Sequence, residues 1–220
     1  TLIKLTKKYG EDTLEELNDA VVLKLKEERI IRGKKFRTDT MVTEANIHHP
    51  TDTGLLADGV KVITRTVAKL RKAKAGIAAC FVNHMRKVKK ICLGLSKVLK
   101  QRISKNNAGL VEAERQLSEI AKKVIASGCK VKAQIDGLKE KPSVVERLGQ
   151  QLGKWLEVTD KIVDQTEQVL KGRLSLPHRI VSIFDAGARP IRRGKARAET
   201  EFGRKILIGE TDHGIVTTYK

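Results

Sequence analysis

The sequence predicts a mixed α/β protein in which a small β-sheet is interrupted by a long, mostly helical insertion. Residues 36–46 alternate between two faces and are rich in Thr and Val, which predicts a strand. Residues 204–210 and 215–219 flank a Thr-Asp-His-Gly turn and predict a hairpin. Apolar residues recur at helical spacing in the long stretch between them. Because an isolated strand is unstable, we expect strand 36–46 to pair with strand 204–210.

The segment before the first strand is predicted to form a short helix over residues 11–29. Leu and Val residues mark one face of it, and Thr13 with Glu16 forms a candidate capping box. In the strand that follows, Asp39 stands in the middle and Glu44 stands five residues later. Because successive side chains of a strand alternate, these two carboxylates are expected on opposite faces.

The insertion is predicted to begin with a proline break and three helices. After Pro50, one of the polar residues at 51–53 can cap a helix that continues to about residue 74. Further apolar stripes predict a longer helix over 81–103 and a third over 110–135.

A second break at Lys141-Pro142-Ser143 predicts a fourth helix, for which Ser143 and Glu146 form a candidate capping box. Apolar residues then recur every seven positions, at Leu148, Trp155, Ile162 and Val169. The two helices that flank Pro142 are therefore expected to form an antiparallel hairpin with coiled-coil-like packing.

The pattern changes again at residue 176. A short strand is predicted over 180–184, followed by a basic, turn-rich loop over 190–200 and then by the hairpin. We therefore divide the chain into an N-terminal helical segment (1–34), a first strand with an acidic residue (35–54), a basic helical insertion (55–175) and the following strands (176–220).

Composition limits the classes of function. The 220 residues carry a net charge of +19 and have a pI near 10.0, which indicates a polyanionic partner, nucleic acid first and an anionic membrane second. Aromatic residues make up 3% of the chain, which argues against a protein that binds single strands by base stacking. No apolar run reaches the length of a membrane span, so we expect no membrane insertion. Three widely separated cysteines fit a reducing cytoplasm rather than a disulfide framework.

The positive charge is concentrated in two stretches. Residues 59–111 contain fourteen Lys and Arg residues and no acid, and residues 171–197 are basic with Asp185 as their one acid. Such blocks can be merely solvated helix faces, but an acid-free run of this length favours contact with nucleic-acid phosphates. The candidate contact residues are Lys72, Lys74, Arg86, Lys87, Lys89, Lys90, Lys97, Lys100, Arg192, Arg193 and Lys195.

Two other groups of residues could suggest metal sites. His48 and His49 precede Asp52, but a capped loop that enters a helix explains them better. Cys80 and His84 are expected to share a helix face, with Cys92 beyond them. A zinc site needs tighter ligand spacing and a fourth ligand, so core packing is the preferred interpretation.

Two segments of the chain together resemble a known family. The first is FRTDTMVTEANIHHPTDTGLLADG at 36–59, and the second is RIVSIFDAGARPIRRGK at 179–195, followed by EFGRKILIGE at 201–210. They resemble the DDE transposases of bacterial insertion sequences. This resemblance implies a ribonuclease-H-like sheet in which Asp39 is the first catalytic aspartate, on the first strand. The second segment departs from the family at 185–189, where Asp-Ala-Gly-Ala-Arg replaces an acidic-proline type of turn.

The resemblance also implies two-metal phosphodiester cleavage with Mg²⁺ or Mn²⁺. Hard divalent ions require oxygen ligands, and a pair of ions needs several carboxylates. The family uses three acids, of which only Asp39 maps here, and the other two are expected beyond residue 220. The chain is therefore expected to be a fragment or a decayed copy that does not cut DNA alone. Glu44 is interpreted as a structural ion-pair residue.

The implied partner is double-stranded DNA, at the transposon ends and at the target, in a cytoplasmic, nucleoid-associated protein. A homo-oligomer is compatible with this function. The alternative is a non-catalytic, basic helical protein that binds DNA or structured RNA. A membrane-surface role for residues 79–105 is a weaker third possibility, because their apolar face lacks Trp and is needed for the helical core.

Overall fold

The computed structural model describes residues 8–10, 12–31, 35–74, 76–100, 108–173, 175–185, 187–192, 200–211 and 214–219, and for 98–100 only the backbone. Its helices and strands confirm a mixed α/β protein. In chain order they are α1 (Asp12–Glu27), β1 (Phe36–Glu44), α2 (Asp52–Ala73), α3 (Met85–Lys100), α4 (Ala108–Asp136), α5 (Ser143–Leu170), β2 (Arg189–Arg192), β3 (Thr200–Thr211) and β4 (Val216–Tyr219).

The chain divides into two compact units. The first, the sheet unit, combines residues 1–44 with residues 191–220, and the second, the helical unit, contains residues 45–190. The buried hydrophobic side chains found among the described residues all belong to the helical unit. The sheet unit is held together in its described part mainly by the backbone ladder of its strands.

The sheet confirms the long-range pairing that the sequence predicts. Strand β1 is antiparallel to β3, and their register runs without a break from Phe36 opposite Thr211 to Glu44 opposite Gly203. Strand β4 pairs with β3 in the predicted hairpin, with a bulge at Gly209 and Glu210. The strand order is β1–β3–β2, and β4 also lies along β3. Strand β3 therefore connects all the others.

The helical unit is built on α2, α4 and α5. Helices α4 and α5 form the predicted antiparallel hairpin, because Gly128 faces Leu156 while Gly149 faces Ile135. Helix α5 is also antiparallel to α2, since Gln165 bonds to Asp52 near one end and Gly59 meets Thr159 further along. Fully buried side chains from the three helices fill the core between them, including Leu56, Ile63, Leu117, Ile135, Leu152 and Ile162.

Local signals at the helix ends were only partly predictive. Thr51 caps α2, since its Oγ1 accepts a hydrogen bond from the Gly54 N–H at 3.1 Å. The predictions of two capping boxes are wrong. Thr13 lies inside α1, where its hydroxyl donates to the Tyr9 carbonyl, and Pro142 rather than Ser143 occupies the N-cap of α5 without a side-chain bond.

Two predicted elements are wrong for a physical reason. Residues 180–184 are not a strand, because the Ile180 N–H donates to the Gln165 Oε1 while Val181 and Ile183 are buried in the helical unit. Helix α3 begins at Met85 rather than near 81, because residues 76–80 turn and the carbonyls of Ala78 and Phe81 accept bonds from Arg71. Conversely, β2 lies where a loop was expected.

Candidate nucleic-acid interface and metal ligand

The carboxylate of Asp39 is exposed in the middle of β1. Asp39 lies opposite Ile208 of β3, and its Oδ1 accepts a hydrogen bond from the Thr40 N–H at 2.7 Å. Since Glu44 is five residues away on the same regular strand, its side chain belongs to the other face, as predicted.

A second carboxylate, which the sequence did not predict, lies on the face of Asp39. Glu210 lies opposite Arg37, and Asp39 lies opposite Ile208. These two cross-strand pairs are neighbours on the same face of the sheet. Diagonal neighbours of this kind are about 7–8 Å apart in antiparallel sheets. Only the register could reveal it, because about 170 positions separate the two residues in the sequence. The residue directly opposite Glu210, Arg37, has the opposite charge, which is a favourable cross-strand combination.

The described residues contain no group of three or more His, Cys, Asp or Glu side chains that could hold a metal ion. In the suspected metal group of His48, His49 and Asp52, the Asp52 carboxylate accepts hydrogen bonds from Gln165 and Arg179. In the second, Cys80 lies in the turn before α3 and is exposed, so the expectation that it packs in the core on a helix face with His84 is wrong.

The predicted phosphate-contacting residues lie mostly on exposed helix surface. Lys72 is exposed on α2, Lys74 caps the end of that helix, and the α3 cations Arg86, Lys87, Lys89, Lys90 and Lys97 are all exposed. Arg192 is exposed at the end of β2. The side chain of Lys100 and all of Arg193 and Lys195 lie outside the described residues.

Some cations of the acid-free block have structural roles instead. The guanidinium of Arg71 donates to the carbonyls of Ala78 and Phe81, each at 2.7 Å, and so ties the turn before α3 to α2. Lys61 lies 3.5 Å from Asp58 on the same helix. These two residues are therefore poor candidates for DNA contact.

The α3–α4 groove has a mixed charge. Lys87 and Lys90 of α3 face Arg115 and Lys123 of α4 across a cavity of about 610 Å³, together with Glu112 and Glu119. Burial lowers the pKa of the His84 imidazole, and two of these cations, Lys87 and Lys123, lie near it and lower that pKa further. The acids partly compensate the charge of this groove.

The α2–α5 groove has only positive charge. It has a volume of about 840 Å³ and is lined by Lys69 and Lys72 of α2 and by Arg147 and Lys154 of α5, and none of the described lining residues is acidic. The side-chain amides of Gln150 and Gln151 and the half-buried indole of Trp155 complete its wall. Lys69 belongs to the acid-free block predicted from the sequence, although it was not among the named candidates. Arg147 and Lys154 were not predicted, because the groove forms only when α5 packs against α2.

A buried polar cluster joins the two segments that carry the family resemblance. The Asp52 carboxylate, 7% exposed, accepts a bond from Arg179 at 2.7 Å and one from Gln165 at 3.2 Å. Gln165 also bonds both backbone groups of Ile180. Burial first, and then the nearby Asp52 carboxylate, raise the pKa of Glu114, which is also buried. The cluster ties the start of α2 to the segment that follows α5.

Comparison with known proteins identifies no relative of this chain. No family model, no curated protein and no solved structure matches the chain. Among the residues that the structure describes, no helix combines the length and the apolar character needed to cross a membrane.

Proposed function

We propose that this chain is part of a DDE-type transposase, that it binds double-stranded DNA, and that Asp39 is one ligand of a catalytic Mg²⁺ or Mn²⁺ ion. The transposase assignment rests on the resemblance of residues 36–59, 179–195 and 201–210. It is supported by the unbroken β1–β3 register, which joins parts of these segments in one sheet with the Asp39 carboxylate exposed in the middle of β1.

The DNA-binding part is supported most directly by charge. The α3 cations are exposed, and none of them takes part in a salt bridge found among the described residues. Cations without acidic partners gain free energy by releasing the counterions of a phosphate backbone. Such contacts position a duplex and carry no base specificity by themselves.

The metal-binding part of the proposal rests on fewer residues than the DNA-binding part. Asp39 offers one carboxylate, Glu210 is the same-face acid one pair away, and the described residues hold no cluster of three ligands. The described residues therefore do not supply enough ligands for a pair of metal ions. The alternative function, a non-catalytic DNA- or RNA-binding protein, is favoured by this same observation.

Salt dependence tests the DNA-binding part. If six to ten cations engage phosphates, a plot of log K against log salt concentration should have a slope of about −5 to −9. Charge reversal at Lys87, Lys89 and Lys90 should weaken binding to all duplex sequences alike. The measurement is fluorescence anisotropy with labelled duplexes of unrelated sequence. A flat salt dependence would reject DNA binding through these cations.

Cleavage tests the catalytic part and separates the two functions. The assay uses the reading frame that contains these residues, taken to its stop codon, and transposon-end DNA with Mg²⁺. Asp39→Asn should abolish cleavage and strand joining with DNA affinity unchanged, because the amide keeps the shape but loses the anion that holds a hard cation. Glu44→Gln, on the opposite face, is the matched control and should be much milder. Cleavage that survives Asp39→Asn would exclude Asp39 as a ligand.

A further inference from the structure

The α2–α5 groove shows a separation of charge that the composition of its helices does not explain. Helix α5 carries five acids and three cations, so it is net acidic. Two of its three cations, Arg147 and Lys154, line the groove, and the stretch between them has no acid. Four of the five acids lie at Glu157 or beyond. The stretch of α5 from Arg147 to Lys154, which lines the groove with Lys69 and Lys72, therefore carries a net positive charge on a helix that is acidic as a whole.

Like charges that face each other across a groove repel, and none of the described residues that line this groove is acidic. None of the salt bridges among the described residues involves any of the four groove cations. Elsewhere on the same helix, Lys161 lies 2.6 Å from Glu157, so ion pairing is available on α5 but absent from the described residues of the groove. A concave surface of one sign concentrates the electric field and attracts an anion.

The shape of the groove fits an extended anion better than a small one. Its volume of about 840 Å³ far exceeds that of one phosphate. Arg147 and Lys154 are seven positions apart, which corresponds to about 10 Å along a helix at about 1.5 Å per residue. Phosphates of one DNA strand follow each other by about 3.4 Å along the duplex axis, so several fall within this length. Gln151 adds a neutral hydrogen-bond donor of the kind that contacts phosphate and sugar oxygens.

We propose that the α2–α5 groove binds the sugar-phosphate backbone of one strand of a DNA duplex, through Lys69, Lys72, Arg147 and Lys154. This proposal rests on the DNA-binding function proposed above and locates a contact outside the α3 cations. Arg147 is suited to a bidentate phosphate contact, whereas the three lysines act as point charges. Trp155, the one Trp of the chain, forms part of the wall and so reports on occupancy.

The test combines charge reversal with Trp fluorescence. In Arg147→Glu/Lys154→Glu, duplex affinity should fall at least about tenfold and the salt slope should become shallower by about 2. Lys130→Glu/Lys139→Glu is the matched control, since both lysines are exposed and lie outside the groove. The control substitutions change the net charge by the same amount as the groove substitutions. This control should change affinity less than about threefold. Duplex DNA should alter Trp155 emission in the wild-type chain, and circular dichroism checks the fold of each variant.

The outcomes separate the groove from the wider proposal. If duplex DNA binds but the groove variant behaves like the control, the groove proposal is wrong while DNA binding stands. The same conclusion follows if only reversal of the α3 cations weakens binding, or if Trp155 emission does not respond. If no duplex binds at all, both proposals fail. Tighter binding of duplex RNA than of DNA in competition would also overturn the choice of DNA.

Discussion

A single methyl group at Gly59 should test the closest approach of α2 and α5. Gly59 is buried, and a Cβ atom there would lie 2.6 Å from Thr159 Cγ2 and 2.9 Å from Thr159 Oγ1. Thr159 is fully buried, and its hydroxyl donates to the Trp155 carbonyl at 2.6 Å. Rotation of Thr159 away from the new methyl would therefore lose this hydrogen bond. Gly59→Ala is expected to force the two helices apart.

The magnitude follows from two opposing terms. Overpacking of a well-packed core costs about 1–3 kcal/mol. Replacement of Gly by Ala inside a helix gains about 1 kcal/mol. The net expectation for Gly59→Ala is therefore a loss of up to about 2 kcal/mol. Gly94→Ala in α3 is the matched control, because nothing lies within 4 Å of its Cβ position and only the gain of about 0.5–1 kcal/mol applies.

Urea unfolding followed by circular dichroism measures both variants, and a second substitution identifies the cause. Thr159→Ala removes the two side-chain atoms that lie closest to the added methyl group. The double variant should therefore be more stable than the sum of the single changes predicts. Coupling of about 0.5–3 kcal/mol is typical of residues in direct contact. If Gly59→Ala stabilises the protein as much as Gly94→Ala, the close contact between α2 and α5 is refuted.

Two further predictions concern the buried polar cluster. Because the folded state raises the pKa of Glu114, its favourable contribution is present below the ordinary carboxyl pKa and is lost as pH rises through the raised value. Glu114→Gln should therefore stabilise the protein at pH 7, and this gain in stability should shrink in acid. Urea unfolding at several pH values measures the trend, and a gain that grows in acid would contradict the prediction. Arg179→Met should cost about 2–4 kcal/mol, since it leaves the buried Asp52 carboxylate without its cation. Lys161→Met, which breaks the exposed pair with Glu157, should cost much less in the same urea titration. Equal losses for the two variants would contradict the assigned role of burial.

Part of the fold followed from the sequence because local patterns and backbone requirements agreed. The strand at 36–46 needed a partner for its backbone groups, and the hairpin near the end of the chain supplied one, so the pairing with β3 was predictable. The apolar spacing on both sides of Pro142 likewise predicted the α4–α5 hairpin.

Other expectations failed where tertiary contacts outweighed local preference. The apolar residues at 180–184 have strand character, but Gln165 of α5 satisfies the backbone of Ile180 and the helical core takes up Val181 and Ile183. The helix expected from residue 81 begins at Met85, because Arg71 holds the preceding turn. Propensity is a weak guide when a long-range partner satisfies the same backbone groups.

By itself, the sequence determined the charge, most of the helix and strand types, and the position of Asp39 in a strand, since these depend on residue identity and spacing alone. Only the tertiary structure decided which charges stand together. Lys72 and Arg147 are 75 positions apart, yet they line one groove because Gly59 lets α5 pack closely on α2. Glu210 reaches the face of Asp39 only through the register of β1 and β3. Such neighbours arise from packing between distant segments, and no local pattern encodes them.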